Sequence, residues 1–269
     1  MKKERLDKIL VDLGYFENKS KSSAAIMSGN VKINDEVITK SGFQIDPSKE
    51  LDIQVKTMPY VSRGGFKLEK AMKTFNFEIK DRVCFDAGAS TGGFTDCLLQ
   101  NGAKKVYAVD VGYGQLAWKI RSDERVKVIE RTNIKNCDYS DIYDEYDVAP
   151  DLLVMDVSFI SIKKVLPNLK TLLNPKFHEL VCLIKPQFEA GKELIEKGGV
   201  VRDKKVHIDV INNVLDFARS LDYKIIDLTF SGIKGPSGNI EYLVHFATEG
   251  TKNDFLTEEV VNDAFEKLA

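Results

Sequence analysis

The chain has few cysteines and histidines, and neither residue type has the spacing of a disulfide framework or a zinc site. No C-x-x-C pair occurs, and the three histidines, at positions 178, 207 and 245, are far apart in sequence. Cys84 and Cys182 lie in apolar, strand-like runs, where a buried thiol is the usual state. These absences favour a reduced cytoplasmic protein without a bound metal. The cysteines are Cys84, Cys97, Cys137 and Cys182.

Long apolar runs are also missing. No uninterrupted stretch approaches the roughly 20 residues that cross a bilayer. The basic start, MKKERLDKIL, is not followed by an apolar segment of signal length. We therefore expect no membrane span. A net charge of −2 and 43% hydrophobic residues over 269 positions indicate a globular chain with one moderate domain and a smaller one.

The first 58 residues are predicted to form the small α+β domain. Apolar spacing predicts helices over about 4–13 and 20–28, followed by short strands at VKINDEV and LDIQVK. The first helix carries Arg5 and Lys8 outward, and Lys19 and Lys21 begin the second helix. Ten Lys and Arg before residue 57 are nearly matched by nine Asp and Glu. On charge alone, a solvated mixed face and a nucleic-acid surface remain equally open.

This segment resembles the S4 RNA-binding domain. The resemblance covers most of the module and rests on RLDKIL, on the Lys/Ser-rich helix start, on SGNVKIND and on LDIQV. It implies an RNA partner without naming a reaction. By the family pattern, the residues that contact phosphates, which position RNA without reading its sequence, are Arg5, Lys8, Lys19 and Lys21.

A linker over 59–65 leads to a second domain, predicted over 66–249, and to a C-terminal helix or tail over 250–269. From residue 82 onward apolar strands alternate with helical patterns, which predicts an α/β fold with a Rossmann-like, doubly wound sheet of seven strands. Runs such as LLVM and LVCLI are typical of strands covered on both faces. The last two strands are joined by SGIKGPSG without a helix, so we expect an antiparallel hairpin. The arrangement is similar to a class I methyltransferase.

The stretch CFDAGASTGGFTD predicts a strand, a tight turn of small residues and a helix. It departs from G-x-G-x-x-G and from G-x-x-x-x-G-K-[ST], which counts against NAD, FAD and a P-loop. Asp110 ends the next strand, where a carboxylate can bind both ribose hydroxyls of an adenosine. The predicted ligand is S-adenosyl-L-methionine, held by Asp86, Gly88, Ala89, Ser90, Thr91, Gly92, Gly93, Phe94, Asp110 and Val111. Thr132 and Asn133 either flank its adenine or form a polar turn.

Four further polar residues fall beside the predicted sheet. Asp156 follows LLVM, Lys185 follows LVCLI, Glu241 begins EYLVHF, and Lys67 lies on the helix after the linker. Each of these residues, taken alone, is explained as a charged side chain at the solvated end of a helix or strand. As a group they differ, because Asp156 and Lys185 end adjacent strands at the edge that also carries Asp86 and Asp110.

The chain resembles the TlyA family, the hemolysin-A-type rRNA methyltransferases among the FtsJ-like 2′-O-methyltransferases. The resemblance spans essentially the whole chain and rests on SRGGFKLEKA, VMDVSFIS, LIKPQFEAGKE, GGVVRD and GIKGPSGNIEYL. It implies methylation of cytidine in 23S and also 16S rRNA, ribosomal subunits as partners, and a monomer. It also implies an RNA contact at Arg63, a methyl-donor contact at Asp156, and a catalytic tetrad of Lys67, Asp156, Lys185 and Glu241.

The chemistry suits these residue types. The leaving thioether is neutral, so the difficulty lies in removing a proton from a weakly acidic ribose hydroxyl. The hypothesis makes Lys185 the base, with a neighbouring Lys67 ammonium favouring its neutral form and stabilising the alkoxide. Asp156 and Glu241 hold the two amines. The alternatives are a non-catalytic RNA-binding or ribosome-assembly factor, and a membrane-lytic protein, as the hemolysin name suggests.

Overall fold

The computed structural model describes residues 3–47, 51–56 and 58–268. The chain separates into two compact units, Met1–Pro59 and Tyr60–Ala269. Each unit has its own core.

Within residues 3–47 and 51–56, the first unit contains two helices and five short strands. The elements are β1 Glu4–Arg5, α1 Leu6–Asp12, α2 Lys19–Met27, β2 Val31–Ile33, β3 Glu36–Val37, β4 Gln44–Ile45 and β5 Ile53–Val55. Strand β1 pairs antiparallel with β4, and β2 pairs with both β3 and β5. Asn34 and Asp35 have φ of 50° and 66°, which makes a two-residue hairpin turn between β2 and β3.

The first helix begins two residues later than the sequence predicts, because Glu4 and Arg5 pair with the strand Gln44–Ile45. Helix α2 begins after Asn18, whose side chain accepts a hydrogen bond from the Lys21 N–H at 3.0 Å. Leu6, Leu10 and Ile26 are fully buried between the helices and the strands.

The second unit is built on a seven-stranded sheet. The strands are β6 Val83–Ala87, β7 Lys105–Val109, β8 Val126–Ile129, β9 Leu152–Met155, β10 Glu179–Ile184, β11 Lys224–Phe230 and β12 Tyr242–Ala247. Their order in the sheet is β11-β12-β10-β9-β6-β7-β8. The predicted α/β fold and the antiparallel last pair are confirmed. The sequence did not predict that β12 inserts between β10 and β11 and runs antiparallel to both.

Helices cover both faces of this sheet. Along β10, Leu180, Cys182 and Ile184 pack into one core, whereas Val181 and Leu183 pack into the core on the other face. This division explains why the strands have no polar face. The helices are α3 Gly64–Thr74, α4 Gly93–Gln100, α5 Trp118–Arg121, α6 Tyr139–Ile142, α7 Leu166–Leu172, α8 Pro186–Glu189, α9 Lys204–Ser220 and α10 Thr257–Lys267.

Helix α3 begins at Gly64, inside the segment predicted as a linker. The two glycines form its first turn and do not act as a flexible joint. A Cβ at Gly65 would lie 2.2 Å from Cγ of Tyr60, and a Cβ at Gly93 would lie 3.0 Å from the backbone nitrogen of Gly65. Small residues therefore let the first turns of α3 and α4 approach closely, which brings Lys67 over the sheet.

Candidate active site

Strand register brings the predicted residues to one edge of the sheet. Ile184 pairs with Tyr242 at the end of the antiparallel β10–β12 ladder, so the next residues outward are Lys185 and Glu241. Ala87 pairs with both Val109 and Met155, so the residues that follow them, Gly88, Asp110 and Asp156, emerge side by side. The geometry follows from chain direction, because the carboxyl ends of parallel strands meet at one edge.

Four side chains form a linked charge cluster at this edge. The Lys67 Nζ lies 2.6 Å from Glu241 Oε2 and 3.2 Å from Asp156 Oδ2. The Lys185 Nζ lies 2.6 Å from the other oxygen of Asp156. Asp156 thus lies between the two lysine nitrogens. The Glu241 side chain is only 2% exposed and that of Asp156 is 19% exposed, so Asp156 is the more accessible carboxylate.

Electrostatics fix the charge of two members of this cluster. Burial opposes the charge of Lys67, but the carboxylates of Asp156 and Glu241 outweigh it and raise the pKa of Lys67 above its ordinary value. Burial opposes the charge of Asp156 in the same way, yet the two neighbouring lysines lower the pKa of Asp156. Lys67 is therefore an ammonium and Asp156 a carboxylate at neutral pH.

The cluster lines a cavity of about 650 Å³. Its walls come from the first turn of α3, from the turn after β6, from the segment after β9, and from loops near residues 198 and 235. Arg63 lies at this cavity and donates a hydrogen bond to the carbonyl of Lys234 at 3.0 Å. The tetrad lines it together with Gly88, Ala89, Ser90, Thr91, Gly93 and Phe94.

A second cavity of about 410 Å³ shares part of its wall with the first. Gly88, Ser90, Asp156, Ser158 and Phe159 line both cavities. The shared wall means that the two cavities meet beside the charge cluster. The remaining predicted methyl-donor residues at the second cavity are Asp110, Val111, Thr132 and Asn133.

Asp110 uses its carboxylate to shape the turn. It accepts hydrogen bonds from the N–H of Ser90 at 2.8 Å and from the N–H of Gly112 at 2.6 Å. A carboxylate has about four acceptor positions, so two remain for a bound ligand. The turn itself needs glycine at position 88, where φ is +84° and a Cβ would lie 3.1 Å from the carbonyl oxygen of Asp156.

Two predicted donor-binding residues lie away from the cavities. Asp86 is fully buried on β6, accepts the Thr95 hydroxyl at 2.6 Å, and has one oxygen without a hydrogen-bond partner among the described residues. It faces α4 because side chains alternate along the strand. Gly92 begins α4 with φ of +93° and packs toward Leu116. Both residues support the turn and do not line the cavities.

The predicted RNA contacts of the first unit are exposed cations with nearby acids. Arg5 donates two hydrogen bonds to the buried Asp7, at 3.1 and 2.7 Å. Lys8 pairs with Glu4 at 2.8 Å and Lys21 with Glu17 at 2.5 Å. No ion pair joins Lys19 within the described part of the chain. RNA contact at these residues stays a prediction.

Sequence patterns missed Ser158 and Phe159. The Ser158 hydroxyl accepts a hydrogen bond from Lys185 Nζ at 2.8 Å. Phe159 is 91% exposed, and its φ is +64°, which a bulky side chain rarely adopts. Both occur in VMDVSFIS. No periodicity marks them, because they lie in a loop after the strand.

Two further kinds of site are absent from the part of the chain that the structure describes. Over residues 3–47, 51–56 and 58–268, no group of three or more His, Cys, Asp or Glu is placed to hold a metal ion. Within the same ranges, no helix has the length and apolar character that a bilayer crossing requires.

Comparisons with known proteins agree with this arrangement. A family model described as FtsJ-like methyltransferase matches residues 60–248, and one described as S4 domain matches residues 4–51. The fold and the site thus define an α/β methyltransferase domain joined to an S4 domain.

Individual relatives cover nearly the whole chain. YqxC of Bacillus subtilis, provisionally named an rRNA methyltransferase, is 48% identical over 99% of this chain and 96% of that protein. The 16S/23S rRNA (cytidine-2′-O)-methyltransferase TlyA of Mycobacterium tuberculosis is 38% identical over 92% and 91%. A Streptococcus thermophilus structure, provisionally named a hemolysin, has a TM-score of 0.76 at 42% identity and covers 99% and 97%. The chain belongs to the TlyA family of FtsJ-like methyltransferases and is a methyltransferase.

Proposed function

We propose that this enzyme transfers the methyl group of S-adenosylmethionine to the ribose 2′-hydroxyl of a cytidine in 23S rRNA, with 16S rRNA as a second substrate. The observation that carries the proposal is the meeting of two lysines and two carboxylates where the two cavities join. The name of the Mycobacterium tuberculosis relative supports the choice of base and RNA.

The second cavity fits S-adenosylmethionine. Its wall has glycine at position 88, where a side chain would crowd Asp156, and a carboxylate at Asp110 with acceptor positions left for ribose hydroxyls. Thr132 and Asn133 line the part suited to the adenine. When bound, S-adenosylmethionine supplies a methyl group on a sulfonium. Asp156 lines both cavities and is therefore suited to face donor and acceptor together.

The charge cluster suits activation of a ribose hydroxyl. In its neutral form, Lys185 accepts the hydroxyl proton while Asp156 and Ser158 hold its nitrogen. The Lys67 ammonium, kept charged by two carboxylates, offsets the negative charge that develops on the ribose oxygen. Glu241 is nearly inaccessible, so it holds Lys67 and does not touch the RNA.

The RNA is bound through both units. In the S4 domain, exposed cations for phosphates are supplied by Arg5, Lys8, Lys19 and Lys21. In the methyltransferase domain, Arg63 supplies one in the wall of the first cavity. Such contacts position an RNA strand without selecting the base. The choice of a cytidine therefore depends on the cavity walls. The monomeric state and the cytoplasmic location stay predictions.

Methyl transfer is tested with purified protein, tritiated S-adenosylmethionine and ribosomal subunits from cells that lack this protein. We expect label in 23S rRNA, and in 16S rRNA if both subunits are substrates, at a cytidine ribose that resists alkaline cleavage afterwards. A transcript with a 2′-deoxycytidine at the mapped position is the control and should take up no label. RNA binding without any label would instead support the non-catalytic assembly factor.

A further inference from the structure

Glu189, at the end of α8, accepts two hydrogen bonds from the loop that follows β9. Its Oε2 accepts a hydrogen bond from the Ser161 hydroxyl at 2.6 Å, and its Oε1 accepts one from the N–H of Ile162 at 2.6 Å. Charge-assisted hydrogen bonds of this kind are about twice as strong as neutral ones. Glu189 lies outside the two cavities and outside the tetrad.

The loop that Glu189 holds also contacts the proposed base. Ser158, three residues before Ser161, accepts a hydrogen bond from Lys185 Nζ at 2.8 Å. Lys185 and Glu189 are four residues apart on the other segment, so the segment 158–162 is attached to 185–189 at both ends. Only two residues lie between Ser158 and Ser161, and only three lie between Lys185 and Glu189.

The loop contains a strained backbone position. Phe159 has φ of +64°, a conformation that is unfavourable for a bulky residue and persists only when the surroundings hold it. Its ring packs against Phe188, with centroids 5.1 Å apart. Phe188 itself precedes Glu189, so the strained residue is held by the same short helix.

We propose that Glu189 is a positioning residue for methyl transfer, which acts on Lys185 through Ser158. The inference rests on the proposed function, because it assigns Glu189 to the base of that reaction. With Glu189 in place, the Ser158 hydroxyl has a fixed position, and the Lys185 amine is aimed at the first cavity. Without it, the strained loop relaxes and the amine loses one of its two fixed partners.

The test compares Glu189→Ala with Glu189→Gln and with Glu193→Gln as a matched control. Glu193 is an exposed carboxylate four residues further on. We expect Glu189→Ala to lower kcat about 10- to 100-fold, because small misplacement of a catalytic group has effects of this size. The KM for RNA and the Kd for S-adenosylmethionine should stay near wild type. Glu189→Gln keeps one acceptor and should recover most of kcat.

A second measurement separates positioning from simple stability. Ser158→Ala should lower kcat, and adding Glu189→Ala to it should lower kcat by much less than Glu189→Ala does alone, because both act through one amine. Independent, multiplicative effects would overturn the proposal, as would an unchanged kcat in Glu189→Ala. If Glu189→Ala does not fold, Ser161→Ala, which removes the hydroxyl that Glu189 holds, takes its place in the same comparison. Absence of methyl transfer by the wild-type enzyme would instead refute the proposed function.

Discussion

The Lys67 ammonium lies 2.6 Å from Glu241, although 174 residues separate them in sequence. One residue is on the first helix of the methyltransferase domain, and the other precedes the last strand. Their side chains are 9% and 2% exposed. A buried pair of this kind joins the two ends of the domain at the proposed reaction centre.

Removing one partner of this pair should cost more stability than removing both. Lys67→Met leaves the Glu241 carboxylate buried without its ammonium partner, and we expect a loss of about 3–5 kcal/mol in the free energy of unfolding. The double variant Lys67→Met/Glu241→Leu should recover most of that loss. Urea unfolding of the three proteins checks this. A double variant no more stable than Lys67→Met would contradict the account.

The two neighbouring glycines of α3 should respond differently to alanine. A Cβ at Gly65 would lie 2.2 Å from the Tyr60 ring, whereas a Cβ at Gly64 meets nothing closer than 3.4 Å. We expect Gly65→Ala to destabilise the domain by about 1–3 kcal/mol through overpacking. Gly64→Ala should be neutral or slightly stabilising. Thermal and urea unfolding measure both variants, and equal effects would show that the close approach at Gly65 is unimportant.

Asp86 should make stability depend on pH. Burial raises the pKa of Asp86 to about 7, well above its ordinary value. Between about pH 4 and 7 the folded protein therefore holds a proton that the unfolded chain releases, so this residue's contribution to the free energy of unfolding falls as pH rises. Above about pH 7 Asp86 is ionised in both the folded and the unfolded state, so its contribution no longer changes with pH.

Asp86→Asn removes that pH dependence while still accepting the Thr95 hydroxyl. The free energy of unfolding of Asp86→Asn minus that of wild type should be roughly 2–4 kcal/mol larger at pH 8 than at pH 5. Urea unfolding at the two pH values measures the difference. The control is Asp209→Asn at an exposed position of α9, which should show no such change. A pH-independent effect of Asp86→Asn would refute the assignment.

Strand patterns in the sequence predict the residues of the site that directly follow a strand. Asp110, Asp156 and Lys185 each follow an apolar run, and parallel strands bring such positions to one edge. Lys67 was different, because helical periodicity gives no reason to place it over that edge. Its predicted role came from family resemblance, since its partner Glu241 lies far away in sequence.

The remaining features depend on details that patterns do not encode. The sequence pattern assigns Asp86 to the donor turn because this residue ends the apolar run. Strand alternation instead places its side chain beneath α4, beside Thr95. Ser158 lies in a loop whose path depends on one left-handed residue, Phe159. Glu189 contacts that loop from the end of α8. Tertiary contacts hold that conformation, so local sequence could not predict it.

RNA binding by the S4 domain should depend on Lys19 through charge. Lys19→Ala removes an exposed cation beside the N-terminus of α2, and we expect weaker binding to 23S rRNA fragments of any sequence, with a salt slope smaller by about one. Fluorescence anisotropy at several KCl concentrations measures the slope. Lys267→Ala on the C-terminal helix is the control. An unchanged slope would indicate that Lys19 does not meet a phosphate.

The central claim is that Lys185 takes the ribose proton, and turnover of Lys185→Met measured beside S-adenosylmethionine binding tests it most directly. Loss of a positioned base should lower kcat about 10²- to 10⁴-fold, while the Kd for S-adenosylmethionine stays near wild type. Lys164→Met, at an exposed lysine, should retain full activity. A Lys185→Met enzyme that keeps more than about a tenth of wild-type kcat would contradict the account.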